Sequence, residues 1–176
     1  MQIKKLRIDP NWESRLESIG YGYHTLGGVP YWVDDYYYEI RAKDADLIYK
    51  ATTELWDMCL QAVEYVIQNK LYSKFHIPAY MIHHIERSWE NDEPSIYGRF
   101  DFAFDTERNE IKMLEFNADT PTSLFETGIV QWYWKNHYFP ELTDQFNSIH
   151  EQLIASWKDL QPHLKGEILH FSCAKE

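Results

Sequence analysis

Few folds accommodate the stretch Gly98–Ser123, GRFDFAFDTERNEIKMLEFNADTPTS. Its first part alternates strictly, with Phe100, Phe102 and Phe104 on one side and Arg99, Asp101, Ala103 and Asp105 on the other. That is a strand with one apolar face. Glu110–Asn117 reads as its partner. A three-residue loop, Glu107-Arg108-Asn109, would pair Thr106 with Glu110 and put Asn109 in the left-handed position such loops need. This register sets Phe100 opposite Phe116, Phe102 opposite Leu114, Arg99 opposite Asn117 and Asp101 opposite Glu115. A slip by one residue would mix the two faces.

The register has a chemical consequence. Side chains directly opposed across a ladder start about 4.5–5.5 Å apart at Cβ, and like charges placed there repel. Asp101 facing Glu115 therefore needs compensation. A divalent cation is one source, since Mg²⁺ takes one or two carboxylates and completes its shell with substrate phosphates. Arg99 could bridge the two acids, or the strand face could simply be solvated. Arg99 also carries the planar fork that holds phosphate or carboxylate. Beyond the hairpin, Thr120-Pro121 and Ser123…Glu126 read as helix-start signals, the second as a capping box. Free N–H groups and hydroxyls at a helix start favour an anion.

The rest of the chain supplies the scaffold. Ile3, Leu6 and Ile8 suggest an N-terminal arm or short strand, and Trp12–Ser18 a short helix closed by Gly20. Residues 20–40 are turn-rich and aromatic, read as core and loop packing rather than a base-stacking platform. His24, among them, reads as structural. Residues 43–69 form the longest predicted helix, with Leu47, Ile48, Ala51, Leu55, Cys59, Ala62, Val63 and Val66 as its core stripe. Pro78–Trp89 is a second helix with Pro78 in its first turn. Ser123–Tyr138 and Thr143–Leu160, with Phe146 on its apolar face, are further helices, and Glu167–Cys173 is a strand. The expected fold class is mixed α+β, with long helices packed on a small sheet containing the hairpin. Residues 1–166 read as one domain and 167–176 as the first strand of a following unit.

Composition narrows the function classes. The formal charge of -11, from 17 Lys and Arg against 28 Asp and Glu, argues against a nucleic-acid partner. No run of apolar residues approaches the roughly 20 needed to span a bilayer, and the N-terminus lacks the apolar core of a secretory signal. The two cysteines, Cys59 and Cys173, form no framework or metal spacing, which suits a reducing cytoplasm.

The paired motifs Tyr97-Gly98-Arg99-Phe100-Asp101-Phe102 and Leu114-Glu115-Phe116-Asn117-Ala118-Asp119-Thr120-Pro121-Thr122-Ser123 resemble those of the glutathionylspermidine synthase-like ligases. The similarity extends to His76-Ile77-Pro78, Ser88-Trp89, Gln131-Trp132 and Leu169–Cys173. The resemblance implies the region before and entering an ATP-grasp core, in a carboxylate–amine ligase that uses ATP and Mg²⁺ and forms an amide through an acyl phosphate. It implies that Asp101, Glu115 and Asn117 hold Mg²⁺, that Arg99 stabilises the transferring phosphate, and that Asp119, Thr120, Thr122 and Ser123 lie near the peptide-like carboxylate substrate. A polyamine is one candidate for the amine, and another amine is equally open. It also implies that the ATP-clamping half follows residue 176, so that this chain alone does not turn over. No glycine-rich phosphate loop can be assigned here. Threonines at the substrate positions, where the family places small hydroxyl residues, leave the peptide open. The alternative is a non-catalytic ligand-binding or assembly domain that keeps the acidic hairpin.

Overall fold

The computed structural model describes residues 1–119, 121–143, 145, 147–164, 166 and 168. Among these, five α-helices accompany three separate two-stranded antiparallel sheets, a mixed α+β arrangement. Apart from Ile168, the expected strand at Glu167–Cys173 lies outside the described residues, as does Phe146.

The chain opens with β1 (Gln2–Lys5) and α1 (Trp12–Ser18), followed by β2 (Thr25–Leu26) and β3 (Val29–Pro30). Gly27 and Gly28 join the last two at φ +55° and +81°, a turn requiring two positive φ angles and hence two glycines. β4 (Tyr36–Glu39) then returns to pair with β1, setting Gln2 against Glu39 and Lys5 against Tyr36.

The buried centre forms where this N-terminal portion meets a later helix. Leu16, Tyr21 and Val130 are buried together, with Trp12, Ile19 and Trp32 packed against them. Asp34 is also buried there. Its carboxylate accepts two bonds from the Arg15 Nη2 at 3.0 Å, one from the Trp32 Nε1 at 3.2 Å, and one from the Tyr138 hydroxyl. Its carbonyl accepts from the Trp134 Nε1 at 3.0 Å. A buried carboxylate this fully bonded is tolerated, whereas an unpaired one would not be. Of the aromatic residues at 20–40, Tyr21, Trp32 and Tyr37 pack inward, while Tyr23 and Tyr31 stay exposed and meet edge to face. His24 is buried, bonded to Thr25 at 3.0 Å and to Glu17 at 3.4 Å, a structural role.

α2 (Ala42–Gln68) runs 27 residues, about 40 Å at helical rise. Its expected core stripe is only half-buried, and Ala62 and Val63 are exposed. A 3₁₀ turn, Leu71–Phe75, leads to α3 (Ala79–Glu90). Pro78 caps α3 from just outside, at φ -63° and ψ 142°, rather than lying within its first turn. Polar ties hold α3 to α2 and to the connector: the Trp89 indole donates to Glu64, and Lys70 and the Tyr72 hydroxyl both reach Glu86, at 2.6 and 2.7 Å.

The hairpin follows as β5 (Arg99–Asp105) and β6 (Glu110–Asn117). Its root has the predicted register: Arg99 faces Asn117, Phe100 faces Phe116 and Asp101 faces Glu115. Its tip does not. Phe102 faces Met113 and Asp105 faces Glu110, so the loop has four residues, Thr106 to Asn109. A bulge at Leu114 absorbs the difference and leaves Leu114 without a partner and 67% exposed. The Asp105 carboxylate explains the longer loop, accepting the backbone N–H groups of Glu107 and Arg108 at 2.9 and 3.1 Å. Asn109 takes the left-handed conformation, φ +54°. Past the bulge, Ile111 and Met113 therefore join the phenylalanine face and Lys112 leaves it. From that face Phe116 meets Trp56 of α2 edge to face at 5.7 Å.

A helix beginning at Leu124 closes the arrangement. It widens into a π turn over Glu126–Val130 and continues as α4 (Gln131–Tyr138). α5 (Ile149–Leu160) starts six residues later than predicted and passes Gly128 within the π turn, where a Cβ would lie 3.8 Å from Ile149. No helix among the described residues is long and apolar enough to cross a membrane.

Candidate functional site

The hairpin root and the helix entrance bring five of the eight singled-out residues together. Pairing places Arg99, Asp101, Glu115 and Asn117 on one face, because directly opposed residues share a side of the ladder. The bulge matters here. Without it, a four-residue loop would put Asp101 opposite Leu114 and break the cluster.

Arg99 is the hub. Its Nε donates to the Asp101 Oδ1 at 2.9 Å and its Nη2 to Oδ2 at 3.3 Å. The same Nη2 lies 3.8 Å from the Glu115 Oε1. Its Nη1 donates to the Thr122 Oγ1 at 2.9 Å and to the Thr122 carbonyl at 3.3 Å. The Asn117 Nδ2 completes the group by donating to the Glu115 Oε1 at 2.8 Å. Bridging by Arg99, one of the arrangements open from sequence, thus compensates the two acids. It holds the Asp101 carboxyl below the usual carboxylate range and raises the Arg99 guanidinium in turn. The cluster is open to solvent, with the side chains of Arg99, Asp101 and Glu115 exposed by 31%, 38% and 59%.

The helix entrance differs from the predicted cap. Ser123 takes φ +70°, rare for a residue with a side chain. Its carbonyl accepts both the N–H and the hydroxyl of Thr127, at 3.1 and 2.8 Å. Glu126 is not turned back toward Ser123 as in a capping box. Its carboxylate instead accepts the hydroxyl of buried Tyr21 at 3.2 Å. Asp119 is exposed, and Thr120 lies outside the described residues.

Two tyrosines, Tyr97 within the first motif and Tyr21 in the aromatic stretch, carry no site role in the sequence reading. Tyr97 is pushed up by burial, with Arg99 opposing and Glu126 reinforcing the shift, so its phenol feels both charges. Tyr21 also tends upward, through burial and Glu126. Only the adjacency of Tyr97 to Gly98-Arg99 hinted at the first, and nothing local linked Tyr21 to Glu126.

The donor set is wholly oxygen: two carboxylates that face each other and a carboxamide beside them. Hard oxygen donors of this kind fit Mg²⁺, which seldom uses more than two protein carboxylates. Among the described residues there is no group of three or more His, Cys, Asp or Glu that could hold a metal. A nearby apolar groove of about 320 Å³, lined by Leu124, Phe125, Gly128, Ile129, Ile149 and Leu153 together with His150, shares no residue with the charged cluster.

Comparisons with known proteins bear on the same region. A putative acid–amine ligase of Haemophilus influenzae is 38% identical over 171 residues, covering 95% of this chain and 43% of that protein. The trypanothione synthetase of Crithidia fasciculata is 35% identical over 83 residues, covering 47% of this chain and 13% of the relative. The bifunctional glutathionylspermidine synthetase/amidase of Escherichia coli is 28% identical over 158 residues, or 88% of this chain and 25% of that protein. The chain thus spans less than half the length of each of these relatives. The family model described as glutathionylspermidine synthase preATP-grasp matches residues 3–176, and the chain belongs to that family.

Proposed function

We propose that this chain forms the metal- and substrate-facing side of an ATP-dependent carboxylate–amine ligase. The observation that carries the reading is the convergence of Arg99, Asp101, Glu115, Asn117 and Thr122 on one open face beside a helix entrance. The names of the relatives point to acids joined to amines, and a peptide-like acid with a polyamine is the substrate pair they favour.

The reaction proceeds in two displacements. A carboxylate oxygen of the acid attacks the γ-phosphorus of ATP, and ADP leaves with the electron pair of the broken P–O bond. The amine nitrogen then attacks the acyl carbon, inorganic phosphate departs, and the nitrogen gives up a proton to leave an amide. Such transfers depend on positioning and on neutralising the phosphate charge. Asp101, Glu115 and Asn117 would hold Mg²⁺, which supplies that neutralisation when bound. Arg99 offers the moving phosphoryl group a planar fork of donors. Thr122 bonds the fork from its far side, and the family resemblance assigns Asp119, Thr120 and Ser123 to the carboxylate substrate. The ATP-clamping portion is assigned to sequence beyond residue 176, with residues 1–166 as the substrate-side domain and 167–176 leading onward. The assignment to the cytoplasm rests on cysteine usage and on nucleotide-dependent chemistry.

The test is the response to Mg²⁺ of the wild type and of Asp101→Asn/Glu115→Gln. At ten times its dissociation constant the ion should stabilise the wild type by about 1.4 kcal/mol. For a chain of this size that is a rise in melting temperature of about 3–6 °C. The double variant should show none of it. Equal responses would remove the metal assignment and leave a ligand-binding or assembly domain.

A further inference from the structure

Arg99 occupies the gap that a bridging cation needs. Its Nη2 stands 3.3 Å from the Asp101 Oδ2 and 3.8 Å from the Glu115 Oε1, between the two carboxylates. Its Nε takes the second oxygen of Asp101 at 2.9 Å. A Mg²⁺ ion binds such oxygens at about 2.0–2.1 Å and would bring two further positive charges into the same gap. The other branch of the guanidinium is held more weakly, because Nη1 meets only the neutral hydroxyl and carbonyl of Thr122, on the exposed side. A phosphate oxygen is a stronger acceptor than either.

We infer that Arg99 is a latch on the cation site: guanidinium and metal compete for Asp101 and Glu115, and a phosphate drawn to the Thr122 side pulls the fork away and releases the acids. The inference rests on the proposed cation site and adds an order to it. Metal and phosphate then assist each other through one side chain, and linkage makes that assistance reciprocal. The site charges fully only when both have arrived.

Removing the charge of Arg99 would favour any cation, so the decisive variant keeps it. Arg99→Lys retains the positive charge and loses the planar fork. Binding is read with Mn²⁺ as a probe, from the electron paramagnetic resonance of the free ion, with Mg²⁺ as competitor. The latch predicts that Arg99→Lys binds Mn²⁺ about two- to fivefold more tightly than the wild type, the range set by a partly exposed ion pair. It also predicts that inorganic phosphate raises Mn²⁺ affinity more in the wild type than in Arg99→Lys. Unchanged or weaker binding in Arg99→Lys overturns the latch, while loss of binding in Asp101→Asn/Glu115→Gln would still uphold the cation site. Failure of every variant to bind overturns both. A second readout needs no variant: the Arg99 Nε–H resonance of the wild type should move as Mg²⁺ is added. A stationary Nε–H signal beside a shifting Asp101 carboxyl signal contradicts the latch.

Discussion

Replacing Gly98 by alanine tests how tightly the hairpin root is built. A Cβ at Gly98 would lie 2.7 Å from the Phe116 Cε2 and 3.0 Å from its Cζ. The Phe116 ring cannot swing aside freely. It stacks on Phe100, centroids 4.1 Å apart and planes within 14°, and meets Trp56 edge to face at 5.7 Å. Forcing extra volume into such contacts costs about 1–3 kcal/mol. Lower freedom of the unfolded chain offsets about 0.4–1 kcal/mol. The net expectation is a destabilisation of about 1–2 kcal/mol, or about 2–8 °C in melting temperature. Thermal unfolding followed by tryptophan fluorescence measures it. The cause is isolated by repeating the change in a Phe116→Leu background. Leucine has no atom at the ring edge, so the cost of the added methyl should largely vanish, a coupling of about 1 kcal/mol. Phe116 lies between Glu115 and Asn117, so displacing it should also weaken the Mg²⁺ response. A Gly98→Ala variant as stable as the wild type, or equally destabilised in both backgrounds, would refute the packing argument.

Two further outcomes follow from the buried N-terminal network. Asp34→Ala leaves Asp9, 3.6 Å away, as the carboxylate facing the Arg15 guanidinium among the described residues, and should cost about 3 kcal/mol in urea unfolding; a loss under 1 kcal/mol contradicts the assignment of Asp34 as the anchor. Burial pushes the phenols of Tyr72 and Tyr138 up to about 12, with Glu86 and Asp34 reinforcing the shifts. The folded state thus holds these protons longer than the unfolded chain. The associated stability is complete below pH 10, the ordinary value, and is lost as pH rises through about 12. Tyr138→Phe should flatten that alkaline decline, seen in melting temperature against pH, and an unchanged decline would exclude Tyr138 as a contributor.

Local pattern carried the hairpin and failed where distant residues decide. Alternation alone placed Phe100, Phe102 and Phe104 on one face, and the root pairing of Asp101 with Glu115 followed. The expected three-residue loop is a four-residue loop, and the Leu114 bulge restores the register. Asp105 capping its own turn was a readable signal that went unused. The bulge was not readable, because Leu114 in an alternating strand looks no different from its neighbours. The helix over Leu124–Tyr138 was visible from its apolar residues, but its π turn was not. That turn coincides with Tyr21 bonding Glu126 and Ile149 passing Gly128, contacts made across 105 and 21 residues of sequence. The pairing of β1 with β4 and the anchoring of Asp34 are long-range in the same way. The α2 stripe was found by its period, yet periodicity reports which residues share a face and not how deeply that face is covered. At the site, the hairpin register singled out Arg99, Asp101, Glu115 and Asn117, and the family resemblance added Thr122. Their connection through the Arg99 fork required coordinates.

The central claim meets its most direct test in the polypeptide encoded by the complete gene. ATP, a peptide acid and a polyamine would be supplied with Mg²⁺, and amide product and released phosphate measured together, for the wild type and for Asp101→Asn. The account predicts amide and phosphate in equal amounts from the wild type, with a loss of at least about a hundredfold in kcat/KM for the variant, the scale of removing one electrostatic contact to a transition state. Undiminished turnover by Asp101→Asn, or no amide from any acid and amine pair, would contradict it.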